Sequence, residues 1–182
     1  MRRFYLVILG SLLILLAGCA LQKRELLSVP TEIPYSVINE KLSKTLPLSQ
    51  RIEQASVKLL SASISKAAEG KEGEVEVRIS FLFKSFTIPE GTTGVMTLYG
   101  TLKLNEHDRE IYLYGLRNGT MEFTESTVKS YISQKERESI FQIAAGELSL
   151  IPLYRLEKSS IASKHIKGIV PKEEKIVVIY GI

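Results

Sequence analysis

The most regular feature of the chain is an alternation of apolar and polar side chains over residues 74–84. Val75, Val77, Ile79, Phe81 and Phe83 fall on one face, opposed by Glu74, Glu76, Arg78, Ser80 and Lys84. Successive side chains of an extended strand point to opposite faces, so this pattern predicts a strand with one buried and one wetter side. A second alternation covers residues 95–104, with Met96, Leu98, Leu102 and Leu104 on one side and Thr97, Tyr99, Thr101 and Lys103 on the other. Residues 52–67 mix serines with small apolar residues, and Val57, Leu59, Leu60, Ala62 and Ile64 are their strand-like positions. Residues 111–116 return as a strand, Asn118-Gly119 reads as a turn, and residues 120–123 extend the strand beyond it. With turns at 69–73 and 89–94 and a polar hairpin loop at 105–110, the middle of the chain predicts an antiparallel meander.

Two segments carry the other period. Over residues 35–46, Val37, Ile38, Leu42 and Leu46 recur at helical spacing with Glu40, Lys41 and Lys44 between them, and Pro47 stops the run. Over residues 125–151, Val128, Tyr131, Ile132, Ile140, Ile143, Ala144, Leu148 and Ile151 predict a long helix. Ser126 or Thr127 would cap it, the polar stretch 133–139 would kink or expose it, and Pro152 would end it. Residues 153–156 read as extended, 160–167 as a short helix and 175–180 as a last strand. The expected fold class is therefore α+β, with a short N-terminal helix and a long helix in the C-terminal half packed on an antiparallel sheet.

The N-terminus has a different character. Arg2 and Arg3 precede an apolar run over residues 4–16, broken only by Gly10 and Ser11 and ending in Leu16-Ala17-Gly18-Cys19. A charged start, an apolar stretch and small residues before a cut site describe a secretory signal. The run is shorter than the roughly 20 residues a helix needs to span a bilayer, so a retained transmembrane helix fits less well. Leu16, Ala17, Gly18 and Cys19 resemble the bacterial lipobox, in which the thiol is acylated and becomes the new N-terminus. Residues 1–18 are then the signal peptide, 19–34 the lipidated cysteine and its tether, and 35–182 a single domain. Membrane attachment through acyl chains on Cys19 places the protein in the bacterial envelope. Ala20, where an aspartate would favour inner-membrane retention in enteric-like bacteria, points to the periplasmic face of the outer membrane.

Composition narrows the chemistry. With 24 basic and 20 acidic residues the chain carries +4, and removal of Arg2 and Arg3 leaves 22 against 20, or +2. Such a balance gives no footing for a nucleic-acid partner. Cys19 is the only cysteine, so no thiol remains for a disulfide, a metal cluster or a nucleophile. Asp108 is the sole aspartate, and His107 and His165 are the only histidines, far apart in sequence. Calcium loops, paired-histidine zinc sites and Ser-His-Asp triads draw on residues that are scarce here. No catalytic residue, metal ligand or cofactor is expected. His107 lies in Asn105-Glu106-His107-Asp108-Arg109-Glu110, which reads as a solvated hairpin tip.

The stretches Pro152-Leu153-Tyr154-Arg155-Leu156, Ile166-Lys167-Gly168-Ile169-Val170 and Lys175-Ile176-Val177-Val178 form an ordered set with residues 35–42 and Glu110-Ile111-Tyr112-Leu113. Together they resemble the YceB-like family of bacterial lipoproteins, over most of the chain from Tyr35 to Tyr180. That family is similar to a single unit of the TULIP lipid-binding proteins. The resemblance implies a strongly curved antiparallel sheet wrapped around a long helix, leaving an apolar groove. Val77, Ile79, Phe81, Phe83, Leu98, Leu102, Ile132 and Ile143 are the candidate lining of such a groove, although the same side chains would also serve a filled core. The expected function is a non-enzymatic envelope lipoprotein binding a lipid or other apolar ligand between sheet and helix. The alternative is an interaction or assembly lipoprotein with an envelope protein partner and a solid core.

Overall fold

A computed structural model describes residues 30–52, 55–68, 72–125, 130–157 and 166–180. The signal peptide, the lipobox with Cys19, and His165 lie outside the described residues. The chain begins with β1 (Thr31–Pro34) and α1 (Tyr35–Thr45), followed by β2 (Leu48–Ile52), β3 (Ala55–Lys66) and β4 (Glu74–Ser85). Then come β5 (Ile88–Asn105), β6 (Glu110–Phe123), α2 (Gln134–Ser149), β7 (Tyr154–Arg155), β8 (Ile166–Pro171) and β9 (Lys175–Tyr180). Strands β2 to β7 form a six-stranded antiparallel meander in chain order, and a second sheet has the order β1-β9-β8.

This architecture corrects the expected fold class. The described residues hold nine strands and only two helices, of 11 and 16 residues, so a sheet wrapped on a long C-terminal-half helix is not what the chain builds. The reason lies at Ser133. Its side chain accepts from the Glu136 N–H while its own N–H donates to Glu136 Oε2 at 2.8 Å, a capping box that starts α2 there. The polar stretch read as a kink is thus the cap and first turns, and the apolar residues Tyr131 and Ile132 precede the helix. Other readings shift as well. The turn expected at 89–94 falls earlier, at Phe86-Thr87, because β5 already pairs through Ser85↔Ile88. Asn118-Gly119 does not reverse the chain but stays within β6, where Leu98 faces Asn118. Instead of continuing a helix to 167, the backbone is extended from Ile166. The strand β2 was not anticipated at all.

Burial follows the alternation closely in the centre of the large sheet. Val75, Val77, Ile79, Phe81 and Phe83 are all buried, as are Met96, Leu98, Ile111 and Leu113 on the next two strands. Gly94 of β5 sits directly between Phe81 of β4 and Phe123 of β6 in register. The two rings cross above it edge to face, with centroids 5.6 Å apart. Aromatic neighbours covering a strand glycine restore the apolar cover its missing side chain cannot give.

Because β2 reaches only residues 55–59 of β3, the far half of that strand needs other cover. Helix α1 supplies it. Asn39 Nδ2 donates to the Ile64 carbonyl at 3.2 Å, and the Ile64 N–H donates to Asn39 Oδ1 at 2.7 Å. One amide side chain thereby satisfies both backbone groups of a strand residue left without a strand neighbour on that side. Ile38 and Leu42 follow it into the core.

At the start of the same helix, Tyr35 is only 6% exposed and its hydroxyl has no hydrogen-bond partner among the described residues. Burial, and secondarily the charge of Glu173, push its pKa from an ordinary 10.0 up to about 12. A raised pKa means the folded state holds the phenolic proton more tightly. Stability is therefore intact below pH 10 and declines as pH rises toward 12, where the unfolded chain ionises first. Tyr35→Phe removes a hydroxyl buried without a partner, so it is expected to stabilise the fold by about 1 kcal/mol at neutral pH. It should also flatten the alkaline decline. Urea unfolding of both forms at pH 7 and pH 11 checks this, and a less stable phenylalanine variant would contradict it.

Candidate functional site

Between the turn linking β4 to β5 and one face of α2 lies a cleft of about 340 Å³. Its floor comes from Val57 and Phe83, which face each other across β3 and β4 and are 2% and 1% exposed. Ala55 and Ile143 form its walls, and Lys135, Glu136 and Ser139 complete the helix side. Helical spacing explains that contribution, since residues 135, 139 and 143 share one face of a helix. Ser85, Phe86 and Thr87 stand at the opposite lip, where Phe86 is 84% exposed.

Most polar groups around the cleft are already committed. Glu136 closes the capping box with Ser133, and the Ser139 hydroxyl donates to the Lys135 carbonyl at 2.9 Å. The Ser85 and Thr87 hydroxyls lie 2.9 Å from each other. What remains is an apolar floor and wall, an exposed phenyl ring at the mouth, and the Lys135 ammonium, for which the described residues provide no ion pair. The cleft thus joins an apolar floor to one positive charge at its helix side.

Of the residues expected to line a groove, only Phe83 and Ile143 reach this cleft. Val77, Ile79, Phe81 and Leu98 are fully buried in the core, and Leu102 and Ile132 are 8% and 4% exposed. Those six side chains pack in the core and do not line this cleft. Sequence reasoning missed Val57, Ala55 and the whole turn 85–87. The alternation does place Val57 on the buried face, but nothing in a linear sequence shows that α2 stops short of covering that end of the sheet.

The other candidates are scattered. His107 lines a second cavity with Asp108, Arg109, Arg155 and Leu156. Glu138 accepts a hydrogen bond from Gln134 at 2.9 Å on the outside of α2. Tyr114 and Tyr131 are 55% and 70% exposed, and Lys103 sits 3.3 Å above the Tyr114 ring. Glu74, 9% exposed, receives Arg117 through two nitrogens at 3.2 and 2.6 Å, a pairing that raises the arginine's pKa further. Among the described residues no group of three metal-binding side chains converges, and no helix is long and apolar enough to cross a membrane.

No protein-family model matches the sequence, and no curated protein matches it. In three dimensions the chain is similar to the crystal structure of P47 of Clostridium botulinum E1. The TM-score is 0.52 at 14% sequence identity, over 85% of this chain and 44% of that one. At that identity the likeness concerns the fold alone. The chain spans less than half the length of this structural neighbour.

Proposed function

We propose that this protein is a membrane-anchored lipoprotein of the bacterial envelope that holds the acyl chain of a lipid, or another apolar ligand, in the cleft beside α2. The observation that carries the reading is the cleft itself, with Val57, Phe83 and Ile143 inside and Phe86 open at its lip. Its volume of about 340 Å³ falls within the range of pockets that take small ligands. The lipobox around Cys19 supports the anchor, and Ala20 supports the periplasmic face of the outer membrane. The motifs quoted above support kinship with the YceB-like lipoproteins. Attachment to a bilayer would keep the cleft beside its source of ligand.

The test uses residues 20–182 purified from a bacterial host and examined by native mass spectrometry. A lipid is expected to travel with the domain. Ser139→Trp places an indole in the cleft, and denying a ligand even two methylenes of burial removes about 1.6 kcal/mol, more than about tenfold in affinity. The variant should therefore lose the lipid while unfolding at the same urea concentration. A wild-type domain that carries no lipid and ignores a fluorescent fatty acid, yet crosslinks in cells to one envelope protein in stoichiometric amount, would overturn this reading in favour of an assembly role.

A further inference from the structure

A second cavity, of about 420 Å³, opens at the other end of the sheet between the turn joining β5 to β6 and strand β7. His107, Asp108, Arg109, Arg155 and Leu156 line it. Two cationic side chains meet here because of the strand pairing. Arg155 faces Glu110 in register, and the Leu156 N–H donates to the Arg109 carbonyl at 2.9 Å, so both arginines rise from neighbouring backbones.

Arg109 is held firmly. Its N–H donates to the Asn105 carbonyl at 2.8 Å, and its carbonyl takes the Leu156 contact just described. Its backbone adopts φ +59°, the only positive value at a non-glycine residue among those described. Glycine meets such a φ without steric cost, whereas an arginine there crowds its own Cβ. The side chain is thus one the turn itself does not call for. Its Nη1 is buried and finds no hydrogen-bond partner among the described residues. A guanidinium cannot shed its proton, so Arg109 keeps its positive charge at the cavity wall.

Of the nearby acids, Glu110 pairs with Arg155, while Asp108 brings one carboxylate to the same lining. Asp108 Oδ2 accepts from Asn105 Nδ2 at 2.9 Å. Glu110 accepts from the Tyr112 hydroxyl at 2.7 Å and meets Arg155 Nε at 3.2 Å. Arg155 nonetheless keeps 69% of its side chain exposed. From this convergence of Arg109, Arg155 and His107 on one cavity, we infer that it binds an oxyanion, a phosphate or carboxylate group carried by a small molecule or a lipid headgroup. Arginine forks match the geometry of both groups. The space greatly exceeds the roughly 30 Å³ of a single water, leaving room for an organic substituent on the anion. This site is separate from the cleft at α2 and stands or falls independently of it.

The experiment uses the full chain as it accumulates in a bacterial host, purified in a non-ionic detergent and labelled with ¹⁵N. Inorganic phosphate, glycerol phosphate, acetate and micelles doped with phosphatidylglycerol are added in separate titrations. At least one is expected to move the Arg109 side-chain Nε–H resonance and the amides of residues 107–109. Arg109→Gln should weaken that response about tenfold or more, the loss of one charge-assisted contact. Arg109→Gly, which suits the positive φ and tests for a folding defect, should abolish it while keeping the remaining spectrum. Soluble anions acting alone identify a small-molecule ligand, and a response confined to doped micelles identifies a headgroup. If no anion moves these resonances, or if the shifts persist in Arg109→Gly, the site does not exist.

Discussion

Gly94→Val is expected to cost the protein about 3 kcal/mol or more, lowering its unfolding temperature by about 6–12 °C. The position is a glycine for reasons of space, since its φ is not in the left-handed region. A Cβ built there would come within 2.6 Å of both the Glu122 carbonyl oxygen and Phe81 Cζ. The ring could give way only by disturbing its edge-to-face packing with Phe123, and the carbonyl belongs to the neighbouring strand. Alanine already meets both obstacles, so Gly94→Ala should lose about half as much. Combining it with Phe81→Leu should recover only part of the loss, because the backbone oxygen remains. Thermal unfolding followed by circular dichroism measures all three. An alanine variant within about 0.5 kcal/mol of the parent would show that the strands can part at no cost, and the account of this crossing would be wrong.

The second large effect concerns Cys19. Cys19→Ser should abolish incorporation of labelled palmitate and move the chain from the membrane pellet to the soluble fraction of the envelope. Each methylene buried in a bilayer contributes about 0.8 kcal/mol, and stable anchoring takes more than one chain. A serine cannot form the thioether that carries the first of them, so partial retention is not expected. Recovery of the serine variant in the pellet after a high-salt wash would remove the support for a lipid anchor.

Much of the central sheet was legible because period two is a strong signal when one face is buried. The five alternating apolar residues of β4 and the four of β5 all point inward or nearly so. The first helix was legible for the same reason at period 3.6, with Pro47 to end it. The second helix was misread because Val128, Tyr131 and Ile132 continue the apolar spacing upstream of Ser133, and periodicity carries no information about where a cap forms. The Ser133–Glu136 pair was the readable signal, a serine followed three residues later by a glutamate. Asn118-Gly119 misled in the opposite sense. The dipeptide suits a turn, yet Gly119 here allows β6 to lie against the Thr97 carbonyl and the Tyr99 ring, each within 2.8 Å of where a Cβ would stand.

The sites were less legible than the fold. Phe83 and Ile143 were among the anticipated lining residues, but whether an apolar face is filled depends on how far a helix reaches across it, a property of tertiary packing. The second cavity depends on β7, two residues long, meeting β6 across more than forty intervening positions. No local pattern announces such a pairing. His107 drew attention as a titratable residue, while Arg109 beside it, the one with the unusual backbone and the unpaired nitrogen, did not.

The pairing of β1 with β9 has a mechanical consequence. Thr31 lies opposite Val178, and the Thr31 and Tyr180 hydroxyls are 2.8 Å apart, so the chain enters and leaves the domain at one corner. With the proposed anchor upstream of Thr31, a tug from the bilayer is delivered to the first strand and resisted by its ladder to the last. Any reporter joined after Tyr180 would therefore sit beside the point of attachment, leaving the far side of the domain unencumbered.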